Sequence, residues 1–142
     1  VTAMQEGLKV TVVISENHGL QSIRGLQMSR AGHSFGNEFR RRDRETNRLA
    51  GDYLALDFAR NAEGMGARTW RASTPEQVRS ALREARAETR SCVIVVETEP
   101  HRYGPDSGAW WDVPVAETSE DPVTQGLRAE YEERRKRQRF YY

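Results

Sequence analysis

An α/β fold built on a parallel sheet, flanked by helices, is what this sequence predicts, and three observations carry that prediction. Two runs, Lys9 to Ser15 (KVTVVIS) and Ser91 to Glu97 (SCVIVVE), are rich in β-branched residues and apolar almost throughout. Such runs mark strands covered on both faces, as in a parallel sheet. A shorter alternating run, Ala67 to Ala72 (ARTWRA), reads as a third strand. Helical patterns lie between the strands, and strands alternating with helices imply parallel pairing through right-handed crossovers.

Along the chain, Thr2 to Leu8 has helical character and ends at or just after Gly7. The strand from Lys9 runs directly into a turn cluster, Glu16-Asn17-His18-Gly19. From Gln21 to Tyr53 the sequence is polar, arginine-rich and punctuated by glycine. It predicts a short helix around Ile23 to Met28 and an irregular excursion after it. Regularity returns with a helix capped by Asp57 and running to about Met65, with Phe58, Ala59, Ala62 and Met65 as its apolar stripe. Gly66 ends it. Thr74-Pro75-Glu76-Gln77 is the strongest local signal: an N-cap threonine, proline at the first helical position and a glutamine placed for a capping box. The helix it starts should run to about Glu88 and bury Val78, Ala81, Leu82 and Ala85 against the sheet. Pro100 to Glu120 reads as a loop containing the pair Trp110-Trp111. Asp121-Pro122 then opens a last helix, about Val123 to Arg139, mostly charged, with Leu127 and Tyr131 as its apolar anchors. The organisation expected is an α/β domain over 1–99, interrupted by the loop 21–53, and a carboxyl-terminal loop and helical tail over 100–142.

Composition narrows the function. The chain has 142 residues, 37% hydrophobic and 30% charged, enough for one modest core. A net charge of +1 provides no global field for nucleic acid or an anionic membrane, and neither is expected as a partner. No apolar run approaches the roughly 20 residues of a membrane helix. The chain starts without a basic, apolar, small-residue signal, and a reducing cytoplasm is the expected location. Cys92, the sole cysteine, excludes an intramolecular disulfide framework and reads as inert packing in a buried strand. Because Val1 is not methionine and stands within a helical stretch, the chain is expected to be a piece of a longer protein.

The junction after the first strand is the leading candidate site. In open α/β sheets ligands sit beyond the carboxyl ends of strands. The Asn17 amide oxygen and the Gly19 carbonyl are hard oxygen donors of the kind magnesium takes. The same residues also make an ordinary turn. His18, His33 and His101 lie far apart on loops, with no pair at metal-ligand spacing. Arg40 to Arg44 is interleaved with Asp43 and reads as a salt-bridged surface or subunit contact. Two adjacent tryptophans in a polar loop need cover from this chain, a partner subunit or a substrate.

The run TAMQEGLKVTVVISENHG resembles the second half of the thiamine diphosphate motif of the decarboxylase and acetolactate-synthase superfamily. That motif closes, after a helix and a strand, in an asparagine pair followed by a glycine. Here Glu16-Asn17 stands at the pair, a departure at its first position only. The segment DFARNAEGMGARTWRASTPEQVRSALREARAETRSCVIVVETEP resembles the end of the same pyrophosphate-binding domain. GLQMSRAGHSFGNEFRRRD and WWDVPVAETSE resemble, more closely, the trihydroxycyclohexanedione hydrolase family of inositol catabolism. The resemblance covers essentially the whole chain.

The resemblance implies a hydrolase that cleaves a carbon–carbon bond of a cyclic dione with water, giving 5-deoxy-glucuronate, with thiamine diphosphate and Mg2+ as cofactors. It places the cofactor against Glu16, Asn17, His18 and Gly19, and the metal on Asn17 and Gly19. The excursion would then lie over the active-site mouth, with Gln27, His33 and Ser34 available to a polyhydroxylated ring, or serve only as an oligomer contact. The Gly-Asp-Gly half of the motif and the activating glutamate are not among these residues, so the fragment alone is expected to be inactive. Implied partners are the rest of the polypeptide and further copies of it, at least a dimer. The alternatives are another thiamine diphosphate enzyme, a carboligase or 2-oxoacid decarboxylase, and a non-catalytic interaction module.

Overall fold

A computed structural model describes residues 1–102 and 114–139. Its elements are α1 (Thr2–Gln5), β1 (Thr11–Glu16), α2 (Gln21–Ala31), α3 (Phe58–Gly64), β2 (Arg68–Ala72), α4 (Pro75–Ala87), β3 (Cys92–Glu97) and α5 (Pro122–Lys136). They form two compact units, one of residues 1–19 and 39–100, the other of residues 20–38 and 101–142. Trp110 and Trp111 lie outside the described residues.

The first unit holds a three-stranded sheet in the order β1-β3-β2, parallel throughout. The α/β class and the parallel pairing therefore follow the sequence. Registers run Val13 to Ile94 on one side of β3 and Trp70 to Ile94 on the other. Helix α4 begins as its sequence demands. The Thr74 hydroxyl accepts from the Gln77 N–H at 3.3 Å, the Gln77 side chain reaches back to the Thr74 N–H, and Pro75 opens the first turn. Asp57 caps α3 by accepting from the Arg60 N–H at 3.0 Å. The core is small. Ala81 and Ala85 of α4 close on Cys92 and Ile94, with Trp70 and Val96 packed beside them. Ala59 and Ala62 of α3 and Ala72 are also buried.

Three burial expectations are corrected. Leu82 is 43% exposed, not a core residue. The i, i+4 pair Ala81 and Ala85 faces the sheet, and Leu82, one residue round the helix, is carried toward the flank. Among the described residues the first strand is not covered on both faces either: Val12 is 43% and Val13 52% exposed. Among those residues β1 pairs with β3 alone, while α3 and α4 pack on β2 and β3. Met65, expected in the α3 stripe, is exposed beyond the helix end.

In the second unit α2 spans 11 residues, longer than expected, and ends at Gly32, which takes the left-handed conformation at φ 70°. Helix α5 packs on α2. Its N-cap is Asp121, whose carboxylate accepts from the Thr124 N–H at 2.9 Å and the Thr124 hydroxyl at 2.7 Å. Leu127 and Tyr131 are half-buried, and Arg128 and Arg135 lie 5.5 and 5.8 Å from the Tyr131 ring centre.

Candidate active-site turn

The turn Glu16-Asn17-His18-Gly19 leaves the carboxyl end of β1, where a parallel sheet offers its ligand crevice. All four residues are half-buried. Thr98, just past β3, fixes the start of the turn. Its N–H and hydroxyl both donate to the Glu16 carbonyl, at 2.9 and 3.0 Å. The Glu16 carboxylate folds back on the turn and accepts from the His18 N–H at 2.6 Å, with His18 Nδ1 at 3.5 Å. The residue that departs from the asparagine pair thus supports the turn's own backbone. His18 sits at φ 59°, the left-handed region.

The excursion supplies the other wall. Its second half is not irregular: residues 39–43 and 48–54 run antiparallel. The Arg41 N–H donates to the Asp52 carbonyl at 2.9 Å, the Leu54 N–H to Phe39 at 2.7 Å and the Asp43 N–H to Arg48 at 2.7 Å. This ribbon is pinned to the turn by the Phe39 N–H, which donates to the His18 carbonyl at 2.9 Å. The Tyr53 ring stacks on the His18 imidazole, centroids 4.6 Å apart and planes 18° from parallel. The Arg40 guanidinium lies 3.9 Å from the Tyr53 ring centre and donates to the Gly51 carbonyl at 3.0 Å. Tyr53 and Thr98 are not marked by the sequence, which reads Arg40 only as part of a salt-bridged surface or subunit contact.

Gln27, His33 and Ser34 belong to the second unit. The Gln27 carbonyl oxygen accepts from the Phe35 N–H at 2.8 Å and from the Asn37 amide, so it organises the loop after α2. His33 Nδ1 bonds the Ala31 carbonyl at 3.0 Å. Ser34 is half-buried. Of the basic cluster, Arg40 and Arg42 bond carbonyls of their own ribbon, Gly51 and Asn47. Glu38 bonds Arg24 at 3.2 Å and His101 at 2.8 Å.

Among the described residues no cluster of three His, Cys, Asp or Glu side chains could hold a metal ion. The donors at the β1 turn are of another kind, an amide oxygen on Asn17 and a backbone carbonyl on Gly19. Both are hard and neutral, which fits magnesium as a share of its octahedral set. Cys92 is fully buried, and burial, followed by the nearby Glu88 charge, pushes its thiol above the ordinary value. It has no role in this site.

The family model for the thiamine pyrophosphate enzyme C-terminal TPP binding domain matches residues 1–96. A 3D-(3,5/4)-trihydroxycyclohexane-1,2-dione hydrolase 2 from Bacillus cereus is 39% identical over 132 residues, which is 93% of this chain and 20% of that protein. Hydrolases of the same name from Bacillus anthracis and Bacillus thuringiensis are 38% and 37% identical over the same shares. The chain thus spans about a fifth of the length of these curated relatives. No solved structure matches it.

Proposed function

Because this chain belongs to the family of C-terminal TPP binding domains of thiamine pyrophosphate enzymes, we propose that it is the carboxyl-terminal part of a trihydroxycyclohexane-1,2-dione hydrolase. In this reading the enzyme uses water to cleave a carbon–carbon bond of the cyclic dione, yielding 5-deoxy-glucuronate, and depends on thiamine diphosphate and magnesium. One observation favours this over other enzymes of the family. The likeness to the hydrolases covers 93% of the chain, so it runs beyond residues 1–96 into the carboxyl-terminal tail.

Thiamine diphosphate, when bound, supplies the electron sink that carbon–carbon cleavage needs. This chain's contribution is the β1 turn. Asn17 through its amide oxygen and Gly19 through its carbonyl hold the magnesium, while Glu16 and His18 support the turn behind them. His33 Nε2 and the Ser34 hydroxyl hydrogen-bond the substrate's hydroxyls. The Gln27 oxygen is already engaged, so Gln27 offers its amide nitrogen. The enzyme works in the cytoplasm as a dimer or larger assembly, with Arg41 and Arg44 at a subunit boundary.

The metal assignment is tested by Asn17→Ala in the full-length protein, following thiamine diphosphate binding by calorimetry across a magnesium series. Changes near a metal cost at least about tenfold, so a loss of about 1.4 kcal/mol or more is expected. Unchanged affinity refutes the assignment. The reaction itself is tested by thiamine diphosphate-dependent consumption of the dione. His33→Ala with Ser34→Ala should raise KM for the dione with the cofactor still bound.

A further inference from the structure

Resting on the reading of the β1 turn as part of a magnesium site, we propose that Tyr53 is a positioning residue for that site. Its ring, braced by Arg40, clamps His18 and so fixes the oxygens of Asn17 and Gly19 on either side.

The argument begins with the backbone. His18 lies at φ 59°, a region that a residue with a Cβ enters at a cost and glycine enters freely. A histidine stays there only when its surroundings hold it. Here they do so from three directions. The His18 carbonyl is held by the Phe39 N–H at 2.9 Å, and its N–H by Glu16 Oε1 at 2.6 Å. Its ring lies on Tyr53 at a centroid distance of 4.6 Å. The first two anchors use the backbone of His18 and would serve glycine equally well. The side chain is used by the stack on Tyr53 and by the approach of Nδ1 to Glu16 Oε1 at 3.5 Å.

Tyr53 is well placed for this task. Arg40, on the facing arm, lies 3.9 Å from the Tyr53 ring centre, and the guanidinium also bonds the Gly51 carbonyl at 3.0 Å. Arg40 and Tyr53 are themselves antiparallel partners in the ribbon. The tyrosine ring is therefore held by both arms before it meets His18. His18 links Asn17 to Gly19, so a rotation about its φ or ψ swings one oxygen against the other. Magnesium demands near-ideal octahedral geometry at short distances, and a small swing weakens it. The clamp converts a strained turn into a preorganised one.

The test uses the full-length protein and four variants, Tyr53→Leu, Tyr53→Phe, His18→Gly and Asn17→Ala. Calorimetry follows thiamine diphosphate binding as magnesium is titrated, and thermal unfolding is measured alongside. Tyr53→Leu should raise the magnesium needed for half-maximal binding about tenfold, as loss of a supporting group around a metal does. Tyr53→Phe keeps the ring and should bind like the parent. His18→Gly keeps the left-handed backbone, leaves the ribbon intact and should lose affinity as Tyr53→Leu does. That variant decides the matter if Tyr53→Leu fails to fold. Parent-like binding by His18→Gly, or equal losses in Tyr53→Leu and Tyr53→Phe, overturns the clamp. If Asn17→Ala loses binding while Tyr53→Leu keeps it, the clamp falls and the magnesium reading stands. If Asn17→Ala binds normally, the magnesium reading falls and takes the clamp with it.

Discussion

Replacing Ile94 by alanine should be among the most costly single truncations in this chain. Ile94 is fully buried at the middle of β3, between Val13 of β1 and Trp70 of β2, with Ala81 and Ala85 of α4 against it. The substitution removes three buried carbons, about 2.4 kcal/mol of transfer free energy at about 0.8 kcal/mol each. A cavity term adds to this, because the surrounding alanines are too short to reach into the space. The total should be about 4 kcal/mol. Leu82, 43% exposed on the same helix, should cost only about 1 kcal/mol when truncated to alanine. Urea denaturation of the full-length protein, followed by far-ultraviolet circular dichroism, compares the two variants. Ile94→Val should cost far less than Ile94→Ala, near 1 kcal/mol. The reasoning fails if Ile94→Ala costs under about 1 kcal/mol, or if Leu82→Ala costs as much as Ile94→Ala.

Thr74→Ala removes the hydroxyl that accepts from Gln77 and should destabilise by about 1 kcal/mol, with Thr74→Ser near the parent in the same urea titration. The Asp57 carboxyl is held below its usual value of 3.8, first by the Arg60 N–H and then by the Arg71 guanidinium. A depressed folded-state pKa stabilises above the unfolded value, and that contribution is lost as pH falls through the folded one. The thermal penalty of Asp57→Ala should therefore be present at neutral pH and fade below about 3.8, and a penalty that grows on acidification would contradict it. Asp121, lowered chiefly by the Thr124 hydroxyl, should behave alike. Cys92, buried with its thiol pushed up, should resist iodoacetamide in the native protein and label fully in urea, as read by peptide mass mapping. Rapid native labelling would place it at the surface.

Local signals in the sequence were sufficient for the three strands and for the starts of α3, α4 and α5, though not for the full length of α2 or for the ribbon. Thr74, Pro75 and Gln77 start α4 because a capping box closes within four residues, and Asp57 and Asp121 cap α3 and α5 through their own side chains. The apolar β-branched runs specify strands, and their alternation with helices specifies parallel pairing. The candidate turn is legible for the same reason: Asn17 and Gly19 directly follow a strand. Tertiary structure decided the rest. The apolarity of Val12 and Val13 could not reveal that, among the described residues, β1 pairs with β3 alone, because strand order depends on which distant segments close on it. Four apolar residues of α4 could all have been core; only the sheet's position made Ala81 and Ala85 the inner pair and turned Leu82 outward. Nothing adjacent to His18 announces Tyr53. The two rings meet because an antiparallel ribbon folds back from the excursion onto the turn, and hydrogen bonds between residues far apart in sequence set that return. Periodicity and capping act over one or two helical turns of chain, whereas edge position, flank exposure and ring stacking depend on long-range closure.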